Sequence, residues 1–121
     1  MSQLILVVED QEDNRRIIRD LLTSAGYEII EALTGEEGVM AAETHRPALI
    51  LMDIQLPDFD GYEATRRIKA NPALHTIPII AVTSYALSGD DVKAHKAGCD
   101  AYVSKPYSPR ALLAKIREFI S

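Results

Sequence analysis

Polar residues able to do chemistry stand at four places, each at the end of an apolar run. Glu9 and Asp10 follow "LILVV", Asp53 follows "LILM", Thr83 and Ser84 follow "IIAV", and "AYVSKP" ends in Ser104, Lys105 and Pro106. Asp53 poses the sharpest problem, because an unpaired carboxylate at the end of a buried strand is expensive unless it reaches the rim or finds partners. Three carboxylates brought together repel one another, and a single lysine cannot neutralise them all. A hard divalent cation can, and oxygen donors with retained waters suit Mg²⁺. A cation, an ammonium and a hydroxyl donor around a carboxylate describe a phosphoryl site. The cation and Lys105 offset charge on phosphoryl oxygens, Thr83 donates a hydrogen bond, and Asp53 is the nucleophile that forms an aspartyl phosphate.

Taken singly, these residues have plainer explanations. Asp53 alone reads as a turn or capping aspartate, Glu9 and Asp10 as a capping pair for the first helix, and Lys105 as a surface lysine. Only the set points to chemistry. His45, His75 and His95 fall in or beside helical patterns and are expected at the surface, so zinc has no ligand cluster here. Cys99 is the only cysteine, which excludes an intramolecular disulfide and a CxxC pair and suggests a small buried residue at a helix-to-strand turn.

The elements that must position these residues alternate. Strand-length apolar runs at 3–8, 27–31, 48–52, 78–82 and 101–103 are separated by amphipathic helical patterns near 14–25, 35–45, 62–70, 89–97 and 109–120. Thr34 with Glu37 forms a capping-box pattern, Ser88 with Asp91 a weaker one, and Ser108 precedes a proline at the first helical position. Gly26 and Gly98 stand where left-handed C-caps are wanted. In the last helix Leu112, Leu113, Ile116, Phe119 and Ile120 are expected to line one face. Strands alternating with helices imply right-handed crossovers and a parallel sheet covered on both sides, and three strands are continuously apolar, as such a sheet requires. All strands of a parallel sheet finish at one edge, where open α/β folds bind ligands. The four chemical groups therefore converge.

The 121 residues fit one domain, 1–121, with no repeat or linker. The net charge of −5 argues against a nucleic-acid surface. No apolar run is long enough to span a membrane, and the start lacks a secretory signal, so the cytoplasm is the expected compartment.

The chain resembles the receiver domain of two-component response regulators over essentially its whole length. The resemblance is carried by "VVED" at 7–10, "LILMDIQLPDFDG" at 49–61, "PIIAVTSYA" at 78–86 and "AYVSKP" at 101–106, in order and at these spacings. "MDIQLP" and "GCDAYVSKP" are most similar to single-domain DivK-type regulators. The resemblance implies a flavodoxin-like (βα)5 fold, a five-stranded parallel sheet in the order 2-1-3-4-5. It implies that Asp53 takes a phosphoryl group from a histidine of a partner kinase or phosphotransfer protein. Asp10, Asp53 and the main-chain carbonyl of Gln55 would ligate Mg²⁺, with Glu9 acting largely through water. Thr83 and Lys105 would hold phosphoryl oxygens, and a cis Lys105–Pro106 bond, which proline makes accessible, would aim the ammonium inward. Thr83 and Tyr102 would form the switch, although Tyr102 also fits as a fixed core aromatic. Gln55 and Tyr85 stand at positions that tune dephosphorylation. Glu9 replaces the commoner aspartate, and Ser84 stands where alanine or glycine is frequent.

The expected function is therefore a signalling module that catalyses only its own phosphorylation and dephosphorylation. A downstream protein would bind the face made by the fourth helix, fifth strand and fifth helix. With Met1 at one end and the fifth helix at the other, no separate output domain is expected. A receiver excised from a hybrid histidine kinase is the nearest alternative. An aspartyl-phosphate phosphatase would need a second acid two residues after the nucleophile, where Gln55 stands. A flavodoxin-like cofactor binder would need a phosphate loop after the first strand, which is missing.

Overall fold

A computed structural model describes residues 3–83 and 90–120. Five strands and five helices alternate: β1 (Leu4–Val8), α1 (Glu12–Ser24), β2 (Glu28–Ala32), α2 (Gly35–His45), β3 (Leu49–Asp53), α3 (Gly61–Ala70), β4 (Ile79–Thr83), α4 (Asp90–Ala97), β5 (Ala101–Ser104) and α5 (Pro109–Arg117). The strands pair in parallel in the order β2-β1-β3-β4-β5, as expected.

The continuous apolar strands are explained by their two faces. Leu6, Val8, Ile50, Met52, Ile79 and Ala81 point to one side, where Ala42 of α2, Ala64 and Ile68 of α3 and Ala94 of α4 cover them. Ile5, Val7, Leu49, Leu51 and Ile80 point to the other and meet Ile18 and Leu22 of α1 and Leu112 and Ile116 of α5. Alternate side chains of a strand serve opposite layers, so neither layer allows a polar residue before the strand ends.

Local signals set the helix boundaries. Thr34 accepts from the Glu37 amide at 3.1 Å and Ser108 from the Ala111 amide at 3.0 Å. The reciprocal arm at the start of α2 is displaced, since Glu37 reaches the Leu33 amide, at 3.5 Å. Gly26 and Gly98 take φ of +95° and +104°, the left-handed conformation that closes α1 and α4. The expected Ser88–Asp91 cap lies outside the described residues. The last helix ends earlier than its periodicity suggests: the chain leaves α5 after Arg117, the Phe119 amide bonds back to Ile116 O in a tightened turn, and Phe119 is exposed. Its four companions hold to the apolar face. His45, His75 and His95 are exposed and Cys99 is buried. No helix among the described residues is long and apolar enough to cross a membrane.

Candidate functional site at the carboxyl edge of the sheet

Parallel register delivers the acids together. Val8 pairs with Met52, so the next residue of each strand, Glu9 and Asp53, leaves the sheet side by side. On the other flank Asp53 pairs with Val82 and Thr83 with Ser104, which brings Lys105 to the same edge. The Lys105–Pro106 bond is cis. Lys105 Nζ lies 2.9 Å from Glu9 Oε1 and 3.5 Å from Asp53 Oδ2. Carboxylate oxygens of Glu9, Asp10 and Asp53 all lie within 4.8 Å of one another. Glu9 and Asp53 are 2% and 4% exposed, too buried for water alone to stabilise two charges. The cleft above them is lined by Asp10, Gln11, Asn14, Asp53, Gln55, Leu56, Pro57 and Lys105.

The electrostatics follow from this crowding. Burial, then hydrogen bonding and repulsion from Glu9, push the Asp53 carboxyl up to about 7. Burial also pushes Glu9 up, but a hydrogen bond from Asp53, the Gln11 amide and Lys105 together hold it below the usual range. The Lys105 ammonium is drawn down by burial yet ends above its ordinary value because Glu9 and Asp53 surround it. One proton thus stands in for a missing positive charge. An all-oxygen donor set with more negative charge than its lysine can offset fits a hard divalent cation.

The sequence also predicts Gln55, Thr83 and Tyr102 for the site. Gln55 is exposed, and its amide donates to Asp53 Oδ1 at 3.1 Å. Thr83 is fully buried at the end of β4, and its carbonyl accepts from the Lys105 amide at 2.6 Å. Tyr102 is half-buried, pairs with Ala81 and packs on the α2–α3–α4 side of the sheet. Thr83, two residues beyond Ala81, faces that same side. Tyr85 lies outside the described residues.

Three further residues hold the site's backbone. Arg15 of α1 reaches back to the carbonyls of Glu9 and Asp10, at 3.0 and 2.9 Å. Asp58 accepts from the Gly35 and Glu36 amides at 2.8 and 2.9 Å. Asp60 caps α3 by accepting from the Glu63 amide at 2.9 Å. The spacing Asp60-x-x-Glu63 carried a capping signal, whereas nothing local marked Asp58 or Arg15.

Residues 5–117 match the model of the response regulator receiver domain. The polar-differentiation response regulator DivK of Brucella anthropi is 42% identical over 120 residues, covering 99% of this chain and 98% of that protein. Among solved structures, the receiver domain of sensor histidine kinase PA1611 from Pseudomonas aeruginosa has a TM-score of 0.92 at 39% identity. Each of those two chains is covered almost completely, 99% of this one and 98% of the other, and that crystal structure has a magnesium ion coordinated in its active-site cleft. The Vibrio cholerae chemotaxis protein CheY4 shares the fold, with a TM-score of 0.93 at 23% identity over 99% of this chain and all of the other. Sequence, strand order and the acidic edge agree, and the chain belongs to the response regulator receiver domain family.

Proposed function

We propose that Asp53 is the phosphoacceptor of this receiver, taking a phosphoryl group from a phosphohistidine of a histidine kinase or phosphotransfer protein. The observation that carries the proposal is the cluster of Glu9, Asp10 and Asp53 oxygens around one ammonium at the strand edge. An Asp53 carboxylate oxygen attacks phosphorus, the phosphorus–nitrogen bond of the donor breaks, and its electron pair returns to the imidazole. Asp10, Asp53 and the Gln55 carbonyl would hold Mg²⁺, with Glu9 reaching it largely through water, in keeping with the magnesium in the PA1611 receiver. When bound, the ion neutralises charge on the phosphoryl oxygens. Lys105 offsets the remaining charge, and Thr83 donates to a phosphoryl oxygen. Thr83 and Tyr102 share one face of neighbouring strands, which supports their reading as the switch toward a partner on α4, β5 and α5. Gln55 and Tyr85 would set the dephosphorylation rate. Beyond this self-directed chemistry the chain would act by binding other proteins, in the cytoplasm, as one receiver unit.

The test is Mg²⁺-dependent labelling by acetyl phosphate. Wild type is expected to form an acid-stable, base-labile acyl phosphate, and Asp53→Asn, which keeps the shape without the nucleophile, to lose it. Undiminished labelling of the variant at another residue overturns the assignment.

A further inference from the structure

We propose that Asp58 is a positioning residue for the cation and phosphoryl site, acting by anchoring the β3–α3 loop to the N-terminus of α2. The inference rests on the role given above to the Gln55 main chain. Residues 54–60 leave the sheet at Asp53 and return to it, since the Gly61 amide donates to Ile54 O at 2.9 Å. Between these ends the loop touches α2 at its apex. Each Asp58 oxygen takes one α2 amide, from Gly35 and Glu36. Phe59 packs against Gly35, so close that a Cβ there would come within 2.6 Å of the ring. The Arg67 guanidinium covers the ring, 4.0 Å from its centre.

Asp58 shares the capping of α2 with Thr34, which takes only the Glu37 amide, but a cap could be supplied by a neighbour in sequence, as Thr34 is. What Asp58 adds is a link across more than twenty residues, and α2 is a fitting anchor. Gly38 packs α2 directly on Val8, where a Cβ would lie 2.9 Å from Val8 Cγ2, and Val8 immediately precedes Glu9 and Asp10. Asp58 thereby ties the loop that carries Gln55 to the framework that carries two of the other oxygen donors. The helix N-terminus favours an ionised carboxylate. Slight burial pushes Asp58 up, but the Glu36 and Gly35 amides hold it below the usual range, so the anchor is charged at neutral pH.

The experiment is an Mg²⁺ titration followed by the NMR shift of the Gln55 amide in wild type, Asp58→Ala, Asp58→Asn and Thr34→Ala. Thr34→Ala weakens the same helix without touching the loop. Asp58→Ala should weaken Mg²⁺ binding about fivefold, less than the ~10-fold or more typical of groups that bond a metal ligand directly. Asp58→Asn, which keeps one acceptor oxygen, should fall between it and wild type, and Thr34→Ala should bind as wild type does. In EDTA the Gln55 amide should exchange faster in Asp58→Ala alone. Equal loss of affinity in Asp58→Ala and Thr34→Ala would reduce Asp58 to a helix cap, and unchanged affinity in Asp58→Ala would likewise overturn the proposal. If wild type itself binds no Mg²⁺, the cation assignment fails first and takes this inference with it.

Discussion

The two loops that bring acids to the rim are built in opposite ways. The loop after β1 has three residues, 9–11, and delivers two carboxylates. Gln11 caps α1 without a side-chain bond, and Arg15 holds the carbonyls of Glu9 and Asp10 while the Glu9 carboxylate accepts from the Gln11 amide and Lys105. The loop after β3 has seven residues, 54–60, and two of its acids serve as helix caps, Asp58 for α2 and Asp60 for α3. A helix N-terminus wants an acceptor, and the first helix goes without one from its own loop. In the short loop a side chain of the helix fixes the backbone, whereas in the long loop two carboxylates bond the amides of helix N-termini.

The long loop has the tighter closure, and breaking it should have the largest effect. A Cβ at position 61 would run into the carbonyl oxygen of Asp53 and crowd Ile54 Cα. Both are backbone atoms, so no rotamer change relieves the contact. Gly61→Ala should cost about 3 kcal/mol or more. It should also displace Asp53, so that phosphoryl labelling falls even where the protein remains folded. Chemical denaturation and acetyl phosphate labelling of one preparation check both. A loss below about 1 kcal/mol would mean the loop yields easily and its closure is no tighter than that of the short loop.

Much of this was legible in the residues. The five strands announced themselves as apolar runs, because both faces of each inner strand are covered, and parallel pairing made their polar ends one site. Asp53, Glu9, Asp10 and Lys105 could be grouped before any distance was known. The anchors could not, for physical reasons. Asp58 acts on amides more than twenty residues away, and Arg15 bonds to carbonyls, which every residue type possesses. Phe119 shows the converse: its spacing from Leu112 and Ile116 suits a helical face, but the helix stops first. The division of a proton between Glu9 and Asp53 depends on their burial, on the Gln11 amide that bonds Glu9 and on Lys105 lying nearer Glu9, 2.9 Å against 3.5 Å, none of which spacing encodes.

Asp53 at the head of the long loop is buried and lies beside the short loop's Glu9, which wins the lysine and the Gln11 amide, so Asp53 keeps a proton to about 7. A carboxyl whose folded pKa is raised stabilises the fold below its unfolded value, near 4, and loses that stabilisation as pH rises through the folded value. Between pH 5.5 and 7.5 the metal-free protein should therefore lose about 2 kcal/mol. A cation that takes the place of the proton should flatten the slope. Urea melts in EDTA and in saturating Mg²⁺ at the two pH values measure this. Equal slopes in both buffers would mean that the two loops do not share their charge as described.

The smallest effect should come from the short loop's own fastening. Arg15 is 14% exposed at its side chain, with Nη1 on two carbonyls and Nε 3.6 Å from Glu31, which Arg19 also holds. Hydrogen bonds from a charged donor contribute more than neutral ones, but this donor is partly solvated and its ion pair with Glu31 is half at the surface. Arg15→Met, which keeps most of the stem, should cost about 1.5 kcal/mol. Because β1 still ends in register beside β3, the acids should remain grouped, and Mg²⁺ affinity should drop less than in Asp58→Ala. Arg15→Lys should recover only part, since one ammonium cannot serve both the carbonyls that Nη1 holds and the Glu31 carboxylate beside Nε. If Arg15→Met instead weakens Mg²⁺ more than Asp58→Ala, the short loop is the fragile one, and its brevity does not secure it.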